Sequence, residues 1–534
     1  MSPSRTPPST FTPKTVSVFR EGYSLSRLKH DVMAGVTVAM VALPLSMAIA
    51  KASGASPDRG LVTAIIGGFL ISLLGGSRFQ IGGPAGAFIV VVASIIERQG
   101  YDGLLMATIM AGLAMIVFGS LRIGSYIKYI PHPVLVGFTA GIATIIFSSQ
   151  IVDLFGLRLE GKEPAALIPK LMAISHTLYT ISPAAIFISL FSAAIILLLR
   201  KIKPHWPGFL IAIGLASLLT AGIDHLGFFV ETIGTRFGGI PNSLPAPQFP
   251  PMSLERVISL IPDAATIAFL GAIESLLSAV VADGMTGRRH RSNMELIAQG
   301  IANVGTALFG GICATGTIAR TATNVRAGGT SPVAGMIHSF VLLLLILFAA
   351  PLASYIPLAS LGAILAIVSW NMAERAEFLS ILKRSWPDAT ILLATFLLTI
   401  FRDLTEGIAA GVILSAFIFI HRMAESASIH VDHQLASTHF DGDTITYRME
   451  GPLFFGVASE IANVLDRIHE SPKRFVIDCS SVPLVDITGA NSLKAIIERF
   501  HKQGTKVIFK NVNEQLKLAL KKYGVLDHKV DIEP

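Results

Sequence analysis

Two ionisable residues lie where an apolar chain has no ordinary use for charge. Glu274 sits between ATIAFLGAI and SLLSAVVA. A carboxylate at the centre of a lipid-spanning helix costs at least ~2.5–3.5 kcal/mol on insertion scales, so it belongs beside a cavity. There it could take up and release a proton or hold sodium; alternatively it makes a structural hydrogen bond to a neighbouring helix. Ser278, one helical turn on, shares its face. Arg320 follows the start of another short segment by one turn. Its planar guanidinium suits a two-pronged grip on an oxyanion. An ion pair with Glu274, or a side chain reaching for the membrane surface, would employ it differently. His338 reads as a packed or interfacial histidine, and Gly287-Arg-Arg-His-Arg291 as a basic anchor at the membrane edge.

The segments around these charges are unusual in a matched way. One opens IGGPAGAF (81–88) and runs only to about Ile96; the other is CATGTIARTATN (313–324), short and rich in Thr and Gly. Paired short, Gly/Pro-interrupted apolar segments point to a site at the middle of the bilayer. A helix that begins there leaves unpaired N–H groups and a positive dipole end, which together cradle an anion. Unpaired backbone at that depth persists only beside protein or water. The competing explanation is tight helix packing by small residues.

The chain that must position these groups has 534 residues, 52% hydrophobic and only 14% charged, with a mean hydropathy of +0.64. Soluble domains carry roughly 25% charged residues. That composition excludes a cytosolic enzyme, a disordered chain and a secreted disulfide scaffold, and leaves a polytopic membrane protein. Its two cysteines, Cys313 and Cys479, are too far apart in character to pair, and no zinc-ligand spacing occurs. The net charge of +7 is scattered over short loops, which favours a membrane over nucleic acid. Without an apolar stretch followed by a cleavage site, no removed signal peptide is expected.

Apolar segments recur near 34–50, 61–75, 84–97, 104–119, 134–151, 182–200, 208–222, 262–282, 294–310, 315–326, 332–350, 356–372, 386–401 and 404–421. Fourteen crossings are the expected count; twelve would result if two short segments failed to cross. With fourteen, the larger share of Lys and Arg, including Arg122, Arg200, Arg288 and Arg375, falls on the side of the N-terminal arm. Both termini are then expected in the cytoplasm. The segments form two blocks of seven, about 31–222 and 258–421, and an odd number per block forces opposite orientations. TVAMVALPL (37–45) can be laid on TIAFLGAIE (266–274), and LLGG (73–76) on LFGG (308–311). The expected division is a cytoplasmic arm (1–30), a transmembrane domain (31–425) and a small α/β cytoplasmic domain (428–534). In the last, TITYRMEG, KRFVIDCS and KVIFKNV read as strands. SEIANVLDRIHE, ANSLKAIIERFHKQG and NEQLKLALKKYG read as amphipathic helices.

Taken in order, TVAMVALPLSMAIA, SLLGGSRFQIGGPAG, the Glu274 helix followed by VADGMTG, and GTIARTATNVRAGG resemble the SulP anion-transporter family over about residues 20–530. The resemblance implies a fold shared with uracil and anion-exchanger transporters, fourteen helices as two inverted repeats of seven, and a C-terminal STAS domain. It also implies a homodimer in the lipid bilayer that moves sulfate, bicarbonate, chloride or a dicarboxylate. By position, Pro84, Ala85, Gly86 and Ala87 would face Thr317, Ile318, Ala319 and Arg320 across the anion. Asp478-Cys-Ser-Ser481 and Asp486-Ile-Thr-Gly489 match the STAS signature, and Thr488 falls where soluble relatives carry a phosphorylated residue. A plain role as a helix cap or loop residue is the alternative for Thr488.

Departures from the family pattern bear on the substrate. Leu45 stands where Gln or Glu is frequent, and VALPLSMAIA is similar to the sodium-bicarbonate branch. That branch usually has Asp at the position of Glu274, Thr at Ala85 and a small residue at Arg320. Glu plus Arg suits a sulfate-like oxyanion moved with protons by an elevator-like shift, with Glu274 and Ser278 as the ion-coupling pair. Sodium-bicarbonate symport or C4-dicarboxylate transport comes second, and an anion channel is the reading from another class. The coupling ion is expected to be a proton or sodium, with no metal or other cofactor and no nucleic-acid partner. No nucleophile–base constellation or nucleotide loop appears, which argues against an enzyme or an ATP-driven pump.

Overall fold

Long apolar stretches become helices because helix is the open-ended way to satisfy every backbone group inside a bilayer. In a computed structural model, residues 11–125, 131–159, 161, 163–164, 166–203, 206–224, 229–251, 253–402, 404–425, 428–431, 444–455, 472–527 and 530–533 are described. The chain divides into two compact units, Met1–Val412 and Ile413–Pro534.

Helix is found at each of the apolar segments. We label these helices α1 (Leu25–Ala52), α2 (Pro57–Leu74), α3 (86–99), α4 (101–120), α5 (His132–Phe155), α6 (Pro183–Ile202) and α7 (Gly208–Asp224). The second block supplies α8 (Ile261–Thr286), α9 (Ser292–Leu308), α10 (Ile318–Arg326), α11 (Val333–Ala353), α12 (Leu358–Met372), α13 (Trp386–Phe401) and α14 (Leu404–Glu425). Among the described residues, eight helical spans are long and apolar enough to cross a membrane by length and composition alone. α7 and α13 are apolar but shorter, and α10 has only nine residues.

One boundary differs from the sequence reading, which separates the third and fourth segments by a loop around Arg98. The structure runs them together as Gly86–Ser120 with a sharp bend at Gly100, where φ is 73° and ψ is 179°. A Cβ at Gly100 would meet nothing within 4 Å, so backbone conformation, not space, calls for glycine there.

The helices sort into two bundles. α1–α4 pack with α8–α11; α5–α7 pack with α12 and α13. α1 also touches α7 and α12 of the second bundle. Within the first bundle, buried polar side chains satisfy the backbone that helix leaves open. Glu295 accepts from the N–H groups of Gly76 (2.7 Å) and Ser77 (2.9 Å). Asn303 bonds both the N–H (2.9 Å) and the C=O (2.8 Å) of Ala314. Asp31 accepts from the N–H groups of Thr330 (2.6 Å) and Ser331 (3.2 Å). The Glu295 and Asn303 bonds hold the stretches that lead into two short strands, β1 (Gly82–Gly83) and β2 (Thr315–Gly316), and the Asp31 bonds hold the turn between α10 and α11.

The second unit contains a five-stranded sheet of β3 (Ser428–Val431), β4 (Thr444–Glu450), β5 (Arg474–Ser481), β6 (Lys506–Lys510) and β7 (Asp531–Glu533), in that order. β3 and β4 are antiparallel and the other pairs parallel. The amphipathic helix α15 (Ile487–Lys502) lays Leu493, Ile496, Ile497 and Phe500 into the core, the i, i+3, i+4, i+7 stripe expected of such a helix. Phe500 stacks on Phe475 of β5 with ring centroids 4.2 Å apart. A second helix, α16 (Glu514–Lys522), buries Leu516 and Leu520. The expected helix over SEIANVLDRIHE lies outside the described residues.

Candidate functional site

The two Gly-rich stretches meet. β1 and β2 pair antiparallel, Gly82 opposite Gly316 and Gly83 opposite Thr315, although more than two hundred residues separate them. Each strand leads straight into a helix. Ala85 (φ −117°, ψ 148°) precedes α3, whose first turn is 3-10 from Gly86 to Phe88. Thr317 (φ −112°, ψ 126°) precedes α10. No side chain caps either start. The first N–H groups of both helices, and their positive dipole ends, are thus available inside the bundle.

They open onto a cavity of about 360 Å³. Pro84, Ala85, Gly86 and Ala87 at the start of α3, Thr317, Ile318, Ala319 and Arg320 at the start of α10, and Glu274 of α8 are all among its lining residues. The geometry therefore gathers every residue expected at the substrate position into one space, together with Glu274. Ser278 is not among the lining residues. It is fully buried and donates to Thr321 Oγ1 at 3.0 Å, which in turn accepts from the Ile81 N–H at 3.1 Å. Thr315 Oγ1 donates to Gly271 O at 3.2 Å, and Gln80 Nε2 to Ser275 Oγ at 3.1 Å. The polar stripe of α8 thus braces both crossing stretches, and only Glu274 on that stripe borders the cavity. Glu274 is 8% exposed and makes no hydrogen bond or ion pair with any described residue.

Arg320 is fully buried, and its orientation was not foreseeable from sequence. Nη1 donates to Gly82 O (3.4 Å), and Nη2 donates to Ser46 Oγ (3.1 Å) and Pro84 O (3.2 Å). Nε has no partner. The side chain of α10 thus grips the backbone that launches α3, and among the described residues it forms no ion pair, although the Glu274 carboxylate lines the same cavity. A Cβ at Gly83 would stand 1.8 Å from Nη1, so any larger residue there would displace the guanidinium from this position. His338 is buried, and among the described residues neither ring nitrogen has a hydrogen-bond partner, as in a packed histidine. The cavity also touches Ser46's helix neighbours Leu45 and Ile49, and Thr139, Asn371 and Glu374 from the second bundle. Sequence reasoning passed over these last three, which carry no local signal. Among the described residues, no group of His, Cys, Asp and Glu could hold a metal ion.

The basic loop does more than sit at an edge. Arg291 Nη1 donates to Thr12 O (2.5 Å) and Ser17 Oγ (2.9 Å), and Lys14 Nζ to Arg289 O (2.8 Å), tying down the short helix Lys14–Arg20. Burial, reinforced by Arg291 and Arg78, pushes the Lys14 amine down to about 8. In the second unit, Asp486 caps α15 by accepting from the Gly489 N–H at 2.7 Å. Thr488 lies inside the first turn, half-buried, so the cap belongs to Asp486. Burial of Asp478 would raise its carboxyl, but bonds from Asn511, the Ser480 N–H and Arg448 outweigh it and hold the group below its usual range. Cys313 and Cys479 are both free and buried.

Comparison with known proteins places the arrangement. Residues 28–395 match the sulfate permease family, and residues 436–533 the STAS domain. The chain is 42% identical over 516 residues to the putative sulfate transporter YvdB of Bacillus subtilis, covering 96% of each chain. It is 33% identical over 525 residues to the bicarbonate transporter BicA of Synechocystis, covering 93% of this chain and 91% of the relative. In three dimensions it is similar to the murine Solute Carrier 26 family member A9 anion transporter, with a TM-score of 0.84 at 18% identity, covering 99% of this chain and 93% of that one. A polytopic helical unit with two crossing half-helices, matched by sequence over most of its length, makes this chain a member of the sulfate permease (SulP) family, a multi-pass membrane anion transporter with a C-terminal STAS domain.

Proposed function

We propose that the chain is a secondary transporter that moves a sulfate-like oxyanion together with protons. The observation that carries this reading is the meeting, in one cavity, of two uncapped helix starts, the charge of Arg320 and the partnerless carboxylate of Glu274. The N–H groups of the two helix starts bind the anion, and Arg320 supplies long-range attraction while it holds the α3 backbone in place. An ionised Glu274 and an anion in the same space repel each other. Anion occupancy and protonation of Glu274 therefore favour one another, and that reciprocity is the coupling.

Pro84 to Ala87, Thr317 to Arg320 and Glu274 all belong to the first bundle, whereas Thr139, Phe209, Leu365 and Asn371 wall the cavity from the second. Sliding the first bundle against the second carries the whole set of binding groups, which supports an elevator-like movement. Both termini in the cytoplasm and a homodimeric assembly complete the proposal.

The test is uptake by the purified chain in liposomes, with sulfate, bicarbonate and succinate offered under separate proton and sodium gradients. Sulfate accumulation driven by a proton gradient is expected, and Glu274→Gln should abolish its proton dependence. Unchanged pH dependence in that variant would sink the coupling role. Sodium-driven bicarbonate uptake would favour the second reading, to which VALPLSMAIA and the similarity to BicA lend weight. Currents in planar bilayers without gradient-driven accumulation would make the protein a channel.

A further inference from the structure

We propose that a groove on the outer face of the second bundle is a binding site for an anionic glycerophospholipid. The groove has a volume of about 510 Å³ and lies between α5, α6 and α12. Phe155, Ile186, Leu190, Leu197 and Ala366 line its length, and Arg200, Asn371 and Arg375 gather at one end beside Trp370. Exposed apolar side chains are ordinary on a membrane helix. What sets this face apart is that it is concave, apolar along its length and cationic at one end, with no carboxylate in its lining.

The cationic end is organised. Arg375 lies over the Trp370 ring, its guanidinium carbon 3.7 Å from the centroid. Arg200 Nη1 donates to Asn371 Oδ1 at 3.1 Å. The ring restrains one guanidinium and the amide the other, and both line the same end of the groove with N–H donors left over. Arginine forks of this kind suit a phosphate, which they grip through paired charge-assisted hydrogen bonds. Basic pockets between transmembrane helices are recognised lipid headgroup sites.

The dimensions fit a lipid. Ser182 N–H donates to Phe155 O at 2.9 Å, so the far end of α5 and the start of α6 lie together, opposite the arginines. From Ile186 to Arg200, α6 rises about 21 Å at 1.5 Å per residue. One leaflet's share of the hydrocarbon core is about 15 Å, so an acyl chain can lie along the groove with its phosphate at the arginines. A choline headgroup would bring a cation to the same pair, which is why the site should prefer an anionic lipid such as phosphatidylglycerol. Asn371 also lines the central cavity, so the headgroup end adjoins the wall of the transport site.

The experiment is native mass spectrometry of the full chain in detergent, titrated with phosphatidylglycerol or phosphatidylcholine. The wild type should retain phosphatidylglycerol preferentially. Arg200→Gln or Arg375→Gln should each weaken that preference about fivefold, and the double variant should bring the two lipids to parity. Arg200→Lys with Arg375→Lys, which keeps the charge, should hold part of the preference and guards against misfolding of the Gln variants. Ala193→Trp, placed in the groove wall, should lower retention of both lipids. Equal binding of the two lipids by the wild type would overturn the proposal, as would an undiminished preference in the double Gln variant. If Ala193→Trp splits a dimer while leaving lipid retention intact, the groove is an interface between copies of the chain and the lipid assignment fails.

Discussion

Glu274 and Glu295 occupy neighbouring helices of the same bundle, and both are buried carboxylates. Their surroundings are opposite. Glu295 is fully buried and accepts from two backbone N–H groups and from Gln299 Nε2 at 3.2 Å. Glu274 borders the cavity and has no bonded partner among the described residues. The first pins the chain as it leaves α2 for β1, and the second is the group proposed to exchange a proton. Burial alone does not tell the two carboxylates apart; the hydrogen bonds each receives do.

The largest effect should come from removing the satisfied carboxylate. Glu295→Ala strands the Gly76 and Ser77 N–H groups, at about 1–3 kcal/mol each. The folded fraction recovered by size exclusion should fall sharply, whereas Glu274→Ala should leave the elution profile and thermal midpoint close to those of the wild type. Similar losses in the two variants would break the comparison.

A second contrast is with a paired charge. Lys51 at the end of α1 forms an ion pair with Asp153 of α5, both almost wholly buried, and the pair joins the two bundles. Removing one partner of a buried pair costs about 3–5 kcal/mol, and replacing both by apolar residues is close to neutral or stabilising. Lys51→Met should therefore lower the thermal midpoint clearly, and adding Asp153→Leu should restore it. Additive losses in the double variant would show that the pair does not act as a unit. Arg236, 4.0 Å from Asp153, limits the loss in the single variant.

The smallest effect lies at the rim. Docked, the Lys14 amine sits at about 8; undocked, it returns to its ordinary 10.5. Between those values the undocked arm binds more protons, so docking strengthens as pH rises through that window. Hydrogen-exchange protection of residues 14–20, corrected for intrinsic rate, should increase from about pH 8 to about pH 10, and Lys14→Met should remove the change. Protection that falls with pH in the wild type would refute the assignment.

The site was legible in the sequence to the extent that its signals were local. A lone carboxylate in an apolar run and two short Gly-rich segments are visible in windows of a dozen residues. Glu295, Gln299 and Asn303, four residues apart on one stripe of α9, are equally visible by spacing, but the sequence reading gives this stretch only as an apolar segment. Arg320 was recognised as important, yet its donors turn to carbonyls of Gly82 and Pro84, far away in the chain. Thr488 was singled out by motif, while the cap was taken by Asp486 two residues earlier, whose other carboxylate oxygen also receives the Phe455 N–H at 3.1 Å.

The sequence by itself determined the class of molecule, the position of its helices and the character of its C-terminal domain. Those follow from the length and period of apolar runs, which a bilayer or a sheet reads locally. The tertiary structure alone decided that β1 and β2 cross, that Arg320 holds the backbone of α3, that Ser278 is a brace and that Glu274 stands unpartnered at a cavity. Each depends on which groups meet across more than forty residues of chain or between blocks. Hydrogen-bond satisfaction is a property of those meetings, and no local pattern encodes it.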